Sequence, residues 1–388
     1  MPDILVKNAV IDGISKDILC IGGKIKCILP AGESSLEADS VINANGGIVI
    51  PGLVDCHSHI DKSHINENGR TAYVHGTGAE KGALTRQEKA SFTFEDIYNR
   101  AEKAIKTAIS SGTLFLRTNC DVDAYVGLKG IEALTALREK YKDIITIQIA
   151  AFAQEGIFQD EKTPALLDEA MRLGADLVGG HTITCGEGEK HIDFILRLAD
   201  KYGTDADFHL DESGNREHYL LPYLARRMKE TGMCGRVNAI HMCTLSALNP
   251  EELENALELI SDCQLKATIA PTAISTRQIA PVKALAKLGI PIGLGSDNIH
   301  DFFNPLGSGN VLHIAYLLTY LQAFFTDDEL RSIWDMISVG GAKVMGVEYG
   351  IHVGAQANLT VFPNSDIRDI IAYQLPPAAI IRNGKIIS

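Results

Sequence analysis

The sequence lacks the features of two large classes of proteins, those that bind nucleic acid polymers and those that span membranes. Its 388 residues carry a formal net charge of −13, and no run of lysine and arginine offsets that charge where a phosphate backbone could bind. The longest apolar stretch, residues 311–325, is interrupted by His313, Thr319 and Gln322 and is shorter than the roughly 20 residues of a membrane helix. The sequence therefore predicts neither a nucleic acid polymer nor a membrane as a partner.

Signs of secretion are also missing. The eight cysteines are scattered and never arranged Cys-x-x-Cys, and a chain of this length does not need disulfide cross-links to be stable. Residues 1–7 do not contain a basic segment followed by an apolar core, which a secretory signal requires. We expect reduced thiols and a cytoplasmic location.

Short β-type segments are found at both ends of the chain. Residues 4–28 contain three of them, separated by the turns Asp12-Gly13 and Gly22-Gly23, and residues 379–387 contain the strong hairpin turn Asn383-Gly384. We expect residues 1–50 and 346–388 to join in a small β-sandwich domain.

The middle of the chain, residues 51–345, alternates between apolar β runs and segments with the apolar spacing of helices. Repetition of strand and then helix eight times predicts an α/β fold, a distorted (β/α)8 TIM barrel, whose active site is built at the carboxyl ends of the strands. The eight runs are residues 48–56, 113–119, 144–152, 176–181, 205–210, 236–242, 266–270 and 290–296.

Residues suited to metal binding stand at the ends of these runs. His57 and His59 are two residues apart, so in a strand both imidazoles lie on one face. Alone, the pair is equally well explained by one histidine that caps the strand and one that is solvated. His209 and Asp297 end two other runs and complete a set of nitrogen and oxygen donors for one divalent ion, zinc or iron. Such an open site lowers the pKa of a bound water towards neutrality.

Two further residues at strand ends are candidates for proton transfer. Glu212 follows His209 by three residues and can act as a general acid and base, although a Glu in this position is more often a charge at a helix N-terminus. His241 could be a further metal ligand, a group that polarises the bound hydroxide, or a structural histidine with a backbone partner, and we favour the second role.

Several motifs resemble the amidohydrolase superfamily, and within it the cytosine-deaminase-like branch. The resemblance extends over essentially the whole chain and is carried by residues 51–59 (Pro-Gly-Leu-Val-Asp-Cys-His-Ser-His), 117–122, 148–157, 173–179, 295–297 and 304–307. It implies a mononuclear site held by His57, His59, His209 and Asp297. It also implies that Glu212 delivers a proton to a ring nitrogen, that His241 orients the hydroxide and that Gln154 binds the polar edge of a pyrimidine.

The same resemblance implies one ion per subunit and a homo-oligomer. Relatives with two metal ions have a carboxylated lysine at the end of the fourth strand, and residues 176–181 contain no lysine. We therefore expect His181, which ends that run, to be structural or to lie beside the ligands.

The sequence departs from the cytosine-specific pattern at positions that affect the substrate. Asn298 replaces a second acidic residue after the metal-binding aspartate, and Phe303 stands where that pattern has a tryptophan. Lys62 is a further departure from cytosine deaminase, and in this position the sequence is similar to other branches of the superfamily, which act on triazines and pterins. It could instead pair with Asp61 or face solvent, but if it points inward it favours a substrate with a carbonyl or anionic edge. Residues 63–89 form a long, glycine-containing segment that we expect to act as a lid.

We therefore expect a metal-dependent hydrolytic deaminase of an amino-substituted nitrogen heterocycle, such as cytosine, 5-methylcytosine, isocytosine or isoguanine. In this reaction hydroxide attacks the amine-bearing carbon, Asp297 takes the proton from water, Glu212 protonates the ring nitrogen and ammonia leaves. The alternatives are a pterin or aminotriazine deaminase or amidohydrolase, which includes hydrolysis of a cyclic amide and removal of an alkylamine, and a catalytically inactive barrel used for binding.

Overall fold

A computed structural model describes residues 3–32, 36–65, 76–183 and 187–387. The first strands are β1 (Ile4–Ile11), β2 (Ile14–Ile21), β3 (Lys24–Pro30) and β4 (Ser40–Asn43). They form a sheet of order β3-β2-β1-β4, in which only the β1–β4 pair is parallel. The predicted turns at Asp12-Gly13 and Gly22-Gly23 join these strands, and all four turn residues have positive φ, which suits the twist of a tight hairpin.

The first predicted β run proved to be two strands. Strand β5 (Val49–Ile50) belongs to a terminal sheet, whereas β6 (Leu53–Ser58) begins the barrel. Pro51 and Gly52 separate them. Gly52 has a φ of +151° and packs so closely on Leu114 that an added Cβ would lie 2.7 Å from its Cβ. The chain therefore changes sheets at this point, which periodicity alone did not indicate.

The barrel consists of eight parallel strands that are neighbours in chain order, which confirms the predicted (β/α)8 architecture. After β6 come β7 (Thr113–Asp121), β8 (Thr146–Ala153), β9 (Leu177–His181), β10 (Ala206–Leu210), β11 (Val237–His241), β12 (Lys266–Ile269) and β13 (Ile292–Leu294). The barrel closes beyond β13, where the Asp297 N–H donates to the His57 carbonyl at 2.9 Å and the His59 N–H donates to the Asp297 carbonyl at 3.3 Å.

Helices separate and cover the strands. In chain order they are α1 (Gly78–Lys89), α2 (Phe94–Ser110), α3 (Lys129–Tyr141), α4 (Thr163–Arg172), α5 (Gly188–Tyr202), α6 (Leu221–Thr231), α7 (Pro250–Asp262), α8 (Val282–Ala286), α9 (Val311–Leu321), α10 (Asp327–Met336), α11 (Val339–Met345) and α12 (Ile367–Tyr373). Short 3-10 turns span Ile60–Lys62, Arg216–His218, Cys243–Ala247 and Pro271–Ser275. None of the helices in the described part of the chain combines the length and hydropathy needed to cross a bilayer.

One continuous apolar core lies between strands and helices. Both faces of a barrel strand are covered, so strands such as β7 and β10 are buried at every position. Side chains such as Ile149, Phe208 and Leu134 are completely inaccessible to solvent. This rigid scaffold sets the positions of the strand ends where the polar residues stand.

The remaining strands complete a second small sheet. They are β14 (Leu359–Val361), β15 (Ala379–Arg382) and β16 (Lys385–Ile386), in the order β16-β15-β14-β5, with the predicted turn Asn383-Gly384 between the last two. Side chains from both small sheets share one apolar cluster that includes Ile4, Ile18 and Leu359. This confirms a small β domain built from both terminal segments. The division at residues 50/51 and 345/346 stays our proposal.

Candidate active site

Four imidazoles and one carboxylate meet at the carboxyl end of the barrel. His57 and His59 come from the end of β6, His209 from β10, His241 from β11, and Asp297 lies just beyond β13. The ring centroid of His57 lies 4.8 Å from that of His59 and 4.7 Å from that of His209. Two sets of ligand atoms each lie within 4.8 Å of one another, one from His57, His209 and His241 and one from His57, His59 and Asp297. The predicted ligands are thus brought together, with His241 beside them.

The orientation of the imidazoles fits a metal ion. Nδ1 of His57 lies 3.0 Å from Asn119 Oδ1, and Nδ1 of His59 donates to the Asn119 carbonyl at 3.1 Å. Hydrogen bonds of this kind at Nδ1 leave the Nε2 lone pair available to a cation. Both Nε2 atoms face Asp297 Oδ1, at 3.4 and 3.6 Å.

Buried polar atoms without partners also indicate a missing ligand. Among the described residues, Nε2 of His57 and Nδ1 of His209 and His241 are buried and have no hydrogen-bond partner. Leaving such atoms unpaired costs about 1–3 kcal/mol each, so native proteins normally satisfy them. The residues present fit one divalent ion.

The protonation of the site depends on burial and on Asp297. Burial lowers the pKa of His209 and His59 well below its usual value and that of His241 to about 4, so these rings are neutral near pH 7. Burial acts on His57 in the same direction, but the nearby Asp297 outweighs it and raises the pKa of His57. Metal ligation requires neutral histidines, a condition that three of these rings already meet.

The backbone is strained where the site residues leave their strands. Asp211, His241, Met242 and Asp297 have φ values between +47° and +73°, in the left-handed region that residues other than glycine rarely adopt. Backbone hydrogen bonds stabilise this conformation, including those of Met242 N–H to the Leu210 carbonyl at 3.1 Å and of Asp297 N–H to His57. Strain of this kind is concentrated at functional sites because it directs side chains that a regular strand would place elsewhere.

Glu212 lies at the centre of a second polar group. His181 Nε2 is 2.7 Å from one carboxylate oxygen of Glu212, and the guanidinium of Arg277 donates to the other oxygen. Nε2 of His241 lies 4.0 Å from the first oxygen. Burial raises the pKa of Glu212, but the positive charge of Arg277 and the hydrogen bond with His181 outweigh it, and the pKa is well below its usual value. Glu212 is therefore a carboxylate beside the metal ligands, able to accept a proton.

His181 and Arg277 extend the sequence analysis. The expectation that His181 lies beside the ligands agrees with its position at the end of β9, where its ring centroid is 5.7 Å from that of His209 and its Nε2 contacts Glu212. Arg277 was missed, because it follows a 3-10 turn after β12 and belongs to no periodic segment. The only available signal was a basic residue in the segment that follows a barrel strand.

A cavity of about 580 Å³ opens over these residues. Gln154, Asn298 and Phe303, the predicted substrate contacts, line it together with His59, His209, Glu212, His241 and Asp297. The 3-10 turn Pro271–Ser275 and the residues after it contribute Thr272, Ser275 and Arg277 to the lining. The volume is within the range of small-molecule sites and admits a substituted or bicyclic ring.

Of the alternatives for Lys62, the structure agrees with the inward orientation and not with solvent exposure or a hydrogen bond to Asp61. Its side chain is completely buried, and its ammonium donates to Asp121 Oδ1 at 2.8 Å and to Gln154 Oε1 at 3.1 Å. It therefore points inward, but it lies behind Gln154 and reaches the cavity through that amide.

The predicted lid is partly a helix. Residues 66–75 of the segment 63–89 lie outside the described residues, whereas residues 78–89 form α1, which contributes Lys81 and Arg86 to the cavity wall. A capping box starts this helix, in which the Thr77 side chain accepts from the Glu80 N–H and the Glu80 carboxylate accepts from the Thr77 N–H. The sequence Thr-x-x-Glu was the available signal for this helix.

Comparison with known proteins gives consistent matches. The model of the amidohydrolase family matches residues 40–387. The chain is 33% identical over 397 residues to the N-isopropylammelide isopropyl amidohydrolase of Pseudomonas sp. (strain ADP), covering 99% of this chain and 97% of that protein. It is 26% identical to the pterin deaminase of Rhizobium rhizogenes, covering 97% and 89%.

A solved structure agrees with these sequence matches. The crystal structure of 5-methylcytosine deaminase from Klebsiella pneumoniae, liganded with phosphonocytosine, superposes with a TM-score of 0.91 at 27% identity and covers 100% of this chain and 98% of that one. These matches support a hydrolytic enzyme that acts on C–N bonds. With its eight-stranded barrel and its strand-end histidines, the chain belongs to the amidohydrolase family.

Proposed function

We propose that this amidohydrolase removes an exocyclic amino group from a nitrogen heterocycle, such as cytosine, 5-methylcytosine, isocytosine or isoguanine, and releases ammonia. The observation that carries this proposal is the convergence of His57, His59, His209 and Asp297 with the carboxylate of Glu212 at one end of one cavity. Relatives named for an ammelide, a pterin and 5-methylcytosine support a heterocyclic substrate.

One divalent ion, zinc or iron, is held by His57, His59, His209 and Asp297 in this proposal. When bound, such an ion supplies activated water and polarises the carbon under attack. His241 is 5.2 Å from His209 between ring centroids and is neutral, and its imidazole would orient the attacking water. Asn119 keeps both β6 imidazoles in the tautomer that metal binding needs.

Proton transfer is assigned to the two carboxylates. The attacking water gives one proton to Glu212, which delivers it to the ring nitrogen next to the carbon under attack, and its second proton to Asp297. The C–N bond to the exocyclic amine then breaks, and the proton on Asp297 passes to the departing amine with the help of Glu212, so that ammonia leaves. Arg277 and His181 hold the Glu212 carboxylate in place during these transfers.

The ring is positioned by the cavity wall. Gln154 and Asn298 offer amide groups to its polar edges, and Phe303 offers an aromatic face. Asn298 is itself held by the carboxylate of Asp301, to which its amide donates. The family resemblance also predicts a homo-oligomer, which light scattering of the purified protein tests.

The proposal is tested by ammonia release from metal-reconstituted protein. The substrates are cytosine, 5-methylcytosine, isocytosine, isoguanine, pterin and aminotriazines, and the variant is Glu212→Gln. We expect kcat on every accepted substrate to fall about 10²- to 10⁴-fold, the contribution of a general acid and base, with unchanged metal content. Glu217→Gln, an exposed residue after the same strand, is the matched control. Near wild-type turnover by Glu212→Gln with metal retained would refute the assignment.

A second candidate is removal of an alkylamine from a triazine. It is favoured by the 33% identity, over nearly the whole chain, to an enzyme named for N-isopropylammelide. The same groups would serve, because an amine-bearing ring carbon next to a ring nitrogen is attacked in both reactions. Assay of the released amine separates the two, since N-isopropylammelide yields isopropylamine and a deaminase substrate yields ammonia.

A further inference from the structure

Lys62 is a buried cation in contact with a residue of the cavity wall. It ends the 3-10 turn Ile60–Lys62 directly after β6, and none of its surface is accessible. Its ammonium lies 3.1 Å from Gln154 Oε1, and Gln154 lines the cavity. An ammonium has only N–H donors, so the side of the amide that faces Lys62 must be the carbonyl oxygen. The NH₂ group of Gln154 is then the part left to hydrogen-bond in the cavity.

A network of buried ion pairs keeps Lys62 where it is. Asp121 accepts from Lys62 through Oδ1 and from Lys89 through Oδ2, both at 2.8 Å. Lys89 also donates to Asp123 at 2.6 Å and to Glu155 at 3.0 Å, so that three carboxylates meet its three N–H groups. Glu155 follows Gln154 in the chain. Movement of Lys62 out of this position would leave the buried Oδ1 of Asp121 without its hydrogen-bond donor, which is unfavourable even though Oδ2 keeps Lys89.

Helix α1 is fixed by the same network. Lys89 is the last residue of the helix, and Lys81 and Arg86 of the same helix line the cavity. Arg86 donates to the second oxygen of Glu155 at 2.8 Å. The helix at the cavity wall and the amide of Gln154 are therefore held by one set of charges, a chain of contacts that runs from Arg86 to Lys62.

We infer that Lys62 is a positioning residue that fixes the Gln154 amide with its NH₂ group towards the substrate. The enzyme therefore selects rings that carry an oxo group, or another lone-pair acceptor, at the edge bound by Gln154. A ring with an amino group there would place two donors against each other and leave both unpaired. This inference rests on the proposed function for the identity of the ring. It deepens the proposed function by naming the chemical group that the enzyme binds at one edge of that ring.

The test compares ligands that differ only at that edge, using metal-loaded protein. Pyrimidin-2-one and 2-aminopyrimidine are compared by calorimetry, and cytosine and 2,4-diaminopyrimidine by ammonia release. The wild type should prefer the oxo member of each pair by about 10- to 100-fold, the range expected when a buried polar group loses its partner. Equal affinity for the two members, or no binding of either, overturns the inference.

Two variants separate the role of Lys62 from a purely structural one. In Lys62→Met the amide can turn either way, and the oxo preference should fall to below about threefold, with metal content retained. In Gln154→Glu the side chain still accepts from Lys62 but offers an acceptor to the cavity, so the preference should invert in favour of the amino ligand. Lys106→Met, on the exposed face of α2, is the control that leaves the preference unchanged.

The outcomes distinguish this inference from the proposed function. If no heterocycle releases ammonia but the oxo preference is present and inverts in Gln154→Glu, the proposed function fails and the role of Lys62 stands. If ammonia is released but Lys62→Met keeps the full preference, the inference fails alone. If Lys62→Met does not fold, the Gln154→Glu variant tests the inference, because it retains a partner for Lys62. An unchanged oxo preference in Gln154→Glu would then overturn the inference.

Discussion

Two groups of buried ionisable residues adjoin the cavity, and they differ in how many of their polar atoms have hydrogen-bond partners. In the group around Lys89 every N–H of the ammonium meets a carboxylate, and Asp123 also accepts from the backbone N–H groups of Tyr125 and Val126. In the group around His57, three imidazole nitrogens are buried with no hydrogen-bond partner in the described part of the chain. The first group is complete without a ligand, whereas the second is not.

This difference shows how the two groups contribute to function. Unpaired donors and acceptors are costly to bury, so they are retained where a ligand will satisfy them. A closed set of ion pairs contributes instead by holding neighbouring side chains in one geometry, which is how we interpret Lys62 and Gln154. Three experiments, ordered by expected effect, test this contrast.

Removing the central cation of the complete group should have the largest effect on stability. Lys89→Met leaves three buried carboxylates short of a partner, and we expect the free energy of unfolding to fall by about 3 to 5 kcal/mol. Chemical denaturation measures it. Lys106→Met is the matched control, because its pair with Glu102 is exposed and should contribute no more than about 0.5 kcal/mol. A loss below about 1 kcal/mol in Lys89→Met would show that the group does not hold α1.

The incomplete group should respond to metal instead. At a free metal concentration about 100 times its dissociation constant, zinc should raise the free energy of unfolding by about 2.7 kcal/mol relative to chelated protein. Asp297→Asn should abolish most of this gain, while Lys89→Met should retain it because its changes lie in the other group. Equal stabilisation of the wild type and Asp297→Asn would mean that the metal binds elsewhere.

The smallest effect is expected at the exposed end of the complete group. The Arg86 side chain is 41% exposed, so its pair with Glu155 is screened by water and Arg86→Met should cost less than about 1 kcal/mol. Thermal unfolding of Arg86→Met and of Lys89→Met, measured under the same conditions, compares the stability contributed by the exposed pair with that contributed by the buried pairs. A loss equal to that of Lys89→Met would mean that burial does not set the strength of these pairs.

The barrel and the strand-end residues could be predicted because each leaves a local signal. The alternation of β runs with helical segments is visible in the sequence. The ends of three of these runs carry the proposed ligands, or lie next to them: His57, His59, His209 and Asp297. A barrel then brings those ends together without any knowledge of side-chain contacts.

The rest depended on contacts between distant segments. Lys89 is an ordinary lysine at a helix end, and its partners lie 32 to 66 positions away. Arg277 meets Glu212 across 65 positions, and nothing around either residue indicates the pairing. The partner of Lys62 could not be predicted for the same reason, since its ammonium donates to Asp121, 59 positions away, and not to its sequence neighbour Asp61.

The closure of the barrel has a consequence for biosynthesis. The Ser296 N–H donates to Asp55 at 3.0 Å across 241 positions, and the adjoining residues supply the first and the last of the proposed ligands. During translation the histidines of β6 therefore emerge long before Asp297, and a nascent chain has only part of the ligand set. The complete set forms only when the last strand closes on the first, so binding of a metal by all four proposed ligands requires a closed barrel.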